Sequence, residues 1–473
     1  MKIIRKKESG SLMIYIIIII FIFIIVMFPV VVFFTGELQL LRLAAQKEEA
    51  LQIADAGVNY YQWHLAHFTD DYKDGTGQPG PYVHDYKDYD TQQPVGKFSL
   101  TITPPLPGST VVTIQSTGWT DSNPNIKRTI TVKYGIPSLA KYFILNNDAI
   151  WIYFSPQTFS GQVQSNSGVR FDVVGNAPIF SAKSTYTCPS WQRCPQPTEP
   201  GVWGSGNPNF WQFPVPAIDF SAFTSNLADM KNLAQQQING IAQGIYLPPS
   251  NAQGYSFVFN SDGTVTIYKV TSRTNNPTGY TYDINMNWVA KTQDTDYKNR
   301  TLLFDHVALP LNGIIYAEDN VWIEGTLNGR VTVAAATLPY NSSTAPTIYI
   351  PNNIVYAVKD GSDVLGLIGQ KDVIPTYHAP DNLEVDAVVI SQNSSFQFFY
   401  YDGDIKNNLT IYGAIIEYGW WFDNFVWTSG INNNVIAGYA NSYYNYDSNL
   451  LYGPPPSFPL SSSSYQMLKW TSD

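Results

Sequence analysis

Charge is scarce in this 473-residue chain: Asp, Glu, Lys and Arg make up only 14% of it, against 44% apolar and 15% aromatic residues. That balance argues against a cytoplasmic helical enzyme. What charge there is sums to −10, which excludes nucleic acid as an expected partner because nothing would neutralise phosphates. Cysteine is limited to Cys188 and Cys194, and histidine to five residues. None of those histidines (His64, His67, His84, His306, His378) has ligand spacing around the cysteine pair, so zinc is the least favoured reading and no metal is expected. The Pro-bounded stretch TCPSWQRCP, on an oxidising side, suggests a small Cys188–Cys194 disulfide loop, with two free thiols as the alternative. No nucleophile elbow, phosphate loop, HExxH or Ser/His/Asp arrangement can be read, so no catalytic residue and no cofactor are expected. Tyr (32), Phe (25), Gly (33) and Pro (31) are plentiful instead, which suggests β-rich, turn-rich structure.

Uncharged runs of membrane length are equally rare, and the one at 12–34 organises the rest: LMIYIIIIIFIFIIVMFPVVVFF. As a helix it spans roughly 35 Å, enough to cross a bilayer core of about 30 Å with modest tilt. Pro29 is its only helix breaker and predicts a kink. Lys2, Arg5, Lys6 and Lys7 precede it, so the N-terminus is expected in the cytoplasm and 36–473 beyond the membrane. A cleaved secretory signal is the rival reading. Its apolar core is usually shorter and ends at a small-x-small site, whereas this run passes into Thr35-Gly36-Glu37-Leu38.

The span continues as an amphipathic helix to about residue 68. Ala44, Lys47, Leu51, Ala54, Val58, Tyr61 and Leu65 recur at steps of three and four, with Lys47 breaking the stripe and Gly57 lowering helix propensity. Residues 69–95 read as a long loop. KFSLTIT (97–103), TVVTIQSTGW (110–119) and IKRTITVKYG (126–135) alternate apolar and polar residues, predicting a three-stranded antiparallel sheet that packs on the stripe.

Basic residues, Gly10-Ser11-Leu12, a long apolar helix with an internal proline, and the outer segment Ala54-Asp55-Ala56-Gly57 together resemble the N-terminus of the type IV pilin superfamily, and most closely its PilX-type minor pilins. The resemblance covers about the first 70 residues well. It implies cleavage after Gly10 by a prepilin peptidase, with Ser11 as the mature N-terminus. It also implies other pilins or pilus assembly proteins as partners. Major pilins carry Glu at the fifth mature position, and here that position is Tyr15. An unpaired carboxylate in lipid is costly and usually has a task. Its absence puts a place in a filament shaft in doubt and leaves a cap, an initiator or a tethered role open.

Beyond residue 135 the texture changes. The stretch 136–310 reads as short β runs, the cysteine loop and one soluble helix within 213–241. Asp219 or Ser221 is that helix's candidate cap, and Phe223, Leu227, Met230 and Leu233 its apolar face. Residues 255–270 predict a hairpin turning at Ser261-Asp262-Gly263. From 311 to 453, four-to-six-residue apolar runs with Gly, Asn or Asp at their corners favour a parallel β-solenoid over a β-sandwich, without a fixed period. This part also looks like the β-helical ectodomain found appended to PilX-like N-termini. Residues 454–473 read as an extended tail. The expected class is therefore α+β, a long N-terminal helix with an antiparallel sheet followed by a mainly β, solenoid-like ectodomain.

A catalytic reading would rest on the acids. Glu318/Asp319/Glu324, Asp360/Asp363 and Glu384/Asp386 could supply the paired carboxylates of a glycan-processing enzyme, but each sits at a turn where acidic residues are ordinary corners. His306 and His378 read as packed or surface residues. Asp70, Asp71 and Asp74 offer oxygens at a turn without the twelve-residue calcium pattern. Aromatics concentrate at 396–404, 418–427 and 439–453. They either fill the core and cap or, if exposed at Trp420 and Trp421, bind surface glycans. The expected function is a non-enzymatic, membrane-anchored, pilin-like surface protein acting in pilus assembly or adhesion. A tethered glycan-binding adhesin or a β-helix polysaccharide-processing enzyme is the alternative.

Overall fold

The structure is a computed structural model that describes residues 11–106, 109–153, 161–283, 287–291, 294–419, 425–429, 434–451, 453–461 and 465–473. The chain divides into two compact units. The first takes the residues up to Pro104, Val112–Tyr134 and Lys469–Asp473; the second takes Pro105–Val111 and Gly135–Leu468.

In the first unit one helix, α1 (Ser11–His67, 57 residues), runs unbroken through Pro29. Four strands follow: β1 (Tyr82–Lys87), β2 (Pro94–Thr103), β3 (Val112–Thr120) and β4 (Asn123–Gly135). They pair antiparallel in that order, and the last strand of the chain, Gln466–Ser472, completes the sheet beside β4. Side chains alternate between the two faces of a strand, so Phe98 and Leu100 of β2, Val112 and Ile114 of β3, and Ile130 and Val132 of β4 share one buried face. Ile53, Tyr61 and Leu65 of α1 pack on the first four of these, while Ala54 and Val58 pack on Ile130 and Val132.

The structure departs from three of these expectations. The buried stripe starts at Ala50, not Ala44, because β3 first meets the helix there; Ala44 and Lys47 are exposed. The stretch read as a loop at 69–95 contains β1, an edge strand whose alternation was hidden because an apolar residue, Val83, faces outward with Asp85 and Lys87 while the polar His84 shares the inward row with Tyr82 and Tyr86. The supposed tail at 454–473 is not free. Pro454, Pro455, Pro456 and Phe458 are buried in the second unit, and Gln466–Ser472 is the fifth strand of the sheet.

The second unit is built mainly of parallel ladders. Ile245 pairs with Ile315, and then Ile315 with Val333, Val333 with Leu367, Leu367 with Val389 and Val389 with Ile415, each in parallel strands. The last four steps are 18, 34, 22 and 26 residues long, so the stack holds its register while coil length varies in the corners. The ladder then turns back to an earlier part of the chain. Ile415 pairs with Ile144, Ile144 with Val163, Val163 with Ile179 and Ile179 with Trp211, all parallel. Residues 142–212 therefore continue the stack that residues 245–417 begin. All members of the column from Ile315 to Ile179 are buried in one core. Alternate residues of the same strands (Tyr316, Ala334, Ile368, Ile390, Ile416) face a second core, roofed by the helix α2 (Ala222–Gln235) through Phe223, Leu227 and Met230, and by Phe458. Strands buried on both faces read as continuous apolar runs, which is the pattern of VLGLIG and VVIS. The hairpin expected at 255–270 is present, with Asn260 opposite Thr264 and Gly263 in the left-handed region (φ 82°) that this turn requires.

Candidate functional site

The site begins with α1, because its sequence divides it into two faces of different fate. Every residue from 13 to 34 is exposed, an apolar cylinder of about 33 Å. Among the described residues nothing in the unit covers it, and a bilayer core of about 30 Å matches its length. Exposure persists through Leu38, Leu40, Leu41 and Leu43. The first contact with the sheet is polar, from Asn123 Nδ2 to Gln46 Oε1 at 3.2 Å.

From Ala50 onward the helix sits unusually close to the sheet. A Cβ on Gly57 would lie 2.3 Å from Ser116 Oγ and 2.7 Å from the Phe98 ring. One on Gly118 would lie 2.4 Å from both Ala50 O and Ala54 N. Gly57 is thus a packing surface, where the sequence alone showed only weakened helix propensity. The far end of the helix is pinned by the Asp/Gly loop. His64 Nε2 lies 3.0 Å from Asp71 Oδ2, Tyr61 Oη donates to Asp71 O at 2.9 Å, Tyr60 Oη donates to Asp74 Oδ1 at 3.0 Å, and His84 Nε2 lies 2.7 Å from Asp74 Oδ2. The Lys73 backbone N–H, helped by that of Gly75, holds the Asp71 carboxyl below the usual range. Burial and the neighbouring Asp74 carboxylate push the Tyr60 hydroxyl up to about 12. The Asp71 and Asp74 carboxylates are therefore engaged by protein donors, while Asp70 is exposed. Among the described residues, no group of three or more His, Cys, Asp or Glu is placed to hold a metal ion.

The acidic pairs of the second unit are likewise engaged. Glu318 accepts from Tyr246 Oη at 2.8 Å and from Lys231; Asp319 accepts from Ser250 Oγ at 2.6 Å. Glu324 accepts from Arg300 Nη1 and Tyr297 Oη, both at 3.0 Å. Asp360 accepts from Ser362 Oγ at 2.6 Å, and Asp363 from the Gly329 and Val358 N–H groups at 2.7 Å. Asp386 is fully buried between Tyr356 N and Lys359 Nζ, each at 2.8 Å, and burial raises its pKa. Glu384 lies 3.5 Å from Lys359. His306 and His378 each pair with a carboxylate, Asp305 at 2.7 Å and Asp296 at 3.1 Å, and both rings are largely exposed.

Cys188 and Cys194 are joined in a disulfide with Cα atoms 6.3 Å apart. Gly10, Trp420 and Trp421 lie outside the described residues, and Ser11 opens α1. Of the aromatics at 396–404, Phe396, Phe398, Phe399 and Tyr401 are core residues.

A different aromatic group lies at the surface. A short hairpin, Gly279–Tyr282 with Trp288–Lys291, sets Tyr280, Tyr282 and Trp288 beside Tyr400 and Trp427. Trp288 lies flat over Tyr280 (5.8 Å, 5°) and edge-on to Tyr282 (5.0 Å) and Trp427 (5.3 Å), with Tyr400 at 5.7 Å. This cluster was missed at the level of sequence because residues 288 and 427 belong to distant coils. A Trp between alternating residues in YTY…NWVAK is the only local hint.

No protein-family model matches the chain, and no curated protein matches it. Among solved structures it is similar to the competence-associated pilin ComZ from Thermus thermophilus, at 14% identity over 90% of this chain and 98% of that one, with a TM-score of 0.27.

Proposed function

We propose that this is a membrane-anchored, pilin-like surface protein in which α1 tethers a β-rich ectodomain beyond the membrane. One observation carries the reading: a single helix has an exposed apolar half of bilayer length and a second half docked on an antiparallel sheet. The parallel stack of the second unit is read as a β-solenoid, and it serves display, with no catalytic role. Its acids are spent on turns and ladders. The basic cluster before the span keeps the N-terminus cytoplasmic. Within the pilin reading, a prepilin peptidase removes residues 1–10. The protein then joins pilus components as a cap, initiator or tethered minor pilin, since Tyr15 replaces the usual glutamate.

The test is co-expression with and without a prepilin peptidase, followed by sequencing of the mature N-terminus and protease shaving of intact cells. Peptidase-dependent appearance of Ser11 as the first residue, with 36–473 accessible from outside, is the expected result. Retention of Met1 in the presence of the peptidase, or cleavage near residue 36, overturns the pilin reading.

A further inference from the structure

The five-ring cluster is built as a surface, not as a core. Trp288 is 45% exposed and Tyr282 36%, although apolar rings this close could have been covered at a gain. The hairpin that carries them is fixed. Tyr280 and Tyr400 exchange backbone hydrogen bonds of 2.9 and 2.8 Å, and Thr281 Oγ1 donates to Gln397 Oε1 at 2.6 Å. Trp427 Nε1 donates to Phe398 O at 3.2 Å. The rings are thus held in place before any ligand arrives, which limits the ordering cost of binding.

Tyr282 also lines the adjoining cavity of about 400 Å³, whose other walls include Lys291, Lys371, Asn393, Ser394 and Gln397. Among the described residues neither lysine is in an ion pair. The carboxylate at the rim, Asp283, accepts from Asn287 N at 2.8 Å within its own hairpin. The buried Asp372 carboxylate behind the wall is engaged by Gln397 Nε2 at 3.1 Å, which leaves Lys291 and Lys371 as the ammonium groups open to a ligand.

We infer that the hairpin cluster and this cavity form a binding site for an acidic oligosaccharide. A pyranose ring has a C–H face that stacks on an aromatic ring, hydroxyls that the Asn393 and Ser394 side chains can bond, and an acidic substituent that Lys291 and Lys371 can neutralise. Single-stranded nucleic acid would also stack, but it needs a cationic groove along its whole backbone, and two lysines do not make one. The site lies wholly in the second unit, so its binding is measurable whether or not the leader is processed.

The test uses the full chain in detergent micelles. Intrinsic tryptophan fluorescence and calorimetry follow titration with uronate hexasaccharides, sulfated hexasaccharides, a neutral glucan hexasaccharide and oligothymidylate. One or both acidic saccharides bind more tightly than the neutral one, and the two acidic arms identify the substituent. Trp288→Ala weakens that binding by about tenfold or more, and Lys371→Gln with Lys291→Gln removes most of the preference for the acidic sugar while leaving the neutral one unchanged. Tyr282→Ala, with an unchanged thermal midpoint, separates loss of the site from loss of the fold. The inference fails if no acidic saccharide outbinds its neutral counterpart, if Trp288→Ala binds as the parent does, or if oligothymidylate binds more tightly than every saccharide.

Discussion

Replacing Gly57 by alanine sets two effects of known sign against each other. In an isolated helix the change stabilises by about 0.8–1.0 kcal/mol. Here the new methyl would enter a space already filled, 2.3 Å from Ser116 Oγ and 2.7 and 2.9 Å from two atoms of the Phe98 ring. Phe98 cannot easily retreat, since the His84 ring lies against it at 5.2 Å and Tyr60 at 5.9 Å. Overfilling costs about 1–3 kcal/mol, and three contacts under 3.0 Å put this case in the upper part of that range, about 2–3 kcal/mol, so the net effect is destabilising by roughly 1–2 kcal/mol. Gly118→Ala should cost more, about 3 kcal/mol, because its methyl would meet the backbone atoms Ala50 O and Ala54 N, which no rotamer change can move aside. Hydrogen exchange by mass spectrometry on the full chain in detergent reads the local opening of the docked helix without requiring the two units to unfold together. Amides in 50–66 and 112–120 should exchange about 5–30 times faster in Gly57→Ala and about 150 times faster in Gly118→Ala. Unchanged or slower exchange in Gly57→Ala would mean that helix propensity wins and that the close approach is not limiting. A milder effect in Gly118→Ala than in Gly57→Ala would refute the argument from rigid neighbours.

Three further outcomes follow from the second unit. Arg330 donates to the carbonyls of Gly361 (3.0 Å), Gly453 (2.9 Å) and Pro454 (2.6 Å), so Arg330→Ala should destabilise by about 2–3 kcal/mol and speed protease cleavage at 453–461; an unaltered cleavage rate counts against that tie. Glu417 is fully buried, and burial raises its pKa well above 4.5 despite hydrogen bonds from Phe396 N and Asn146 Nδ2. Because the folded pKa exceeds the unfolded one, this group's contribution is most favourable below about pH 4.5 and is lost as pH rises through the folded value, by up to about 1.4 kcal/mol per pH unit. Melting profiles from pH 4 to about 7 should fall less steeply in Glu417→Gln, and parallel profiles would exclude the effect. Replacing both Cys188 and Cys194 by serine should cost about 2 kcal/mol locally, from the closure of a short loop. Arg170 reaches the Gln192 and Arg193 carbonyls of that loop while stacking on Trp151 (4.1 Å) and Trp203 (4.8 Å), so tryptophan emission should shift, and an unchanged spectrum would count against the coupling.

Local signals were legible and distant ones were not. The apolar run at 12–34 could only be a helix, and Ser261-Asp262-Gly263 marked a hairpin because the turn demands a left-handed residue. Short Ile/Val/Leu runs announced strands buried on both faces. The pairing of Ile415 with Ile144 carried no such mark, since a stacked apolar strand accepts any apolar neighbour of similar length. The tail was misread for the same reason in reverse. A run of three prolines and a run of four serines look extended in isolation, yet Thr332 Oγ1 donates to Pro456 O at 2.6 Å and Phe458 fills the second core. Gly57 looked like a defect because sequence shows what a glycine costs a helix and not what approaches it. The Trp288 cluster needed three distant segments to meet.

The position of the last strand sets a condition on where the second unit's own ends can lie. Apart from Pro105–Val111, the second unit takes the chain from the end of β4 to Leu468, within the last strand, so its main segment is an insertion between two strands of one sheet. Such an insertion requires its ends to be close. They are: Leu139 N donates to Pro459 O and Ser461 N to Pro137 O, both at 2.8 Å, with Ser138 bridged antiparallel to Leu460. The return of residues 142–212 to the stack begun at 245 follows from that constraint. A stack run straight from first coil to last would put its two ends at opposite poles. Here the segment after the entry point is stacked directly on the coil that ends at Glu417, which lets the chain come back to where it started. Coils can then lengthen or shorten at their corners, as the 18-to-34-residue steps already do, while the two ends of the unit stay paired with each other.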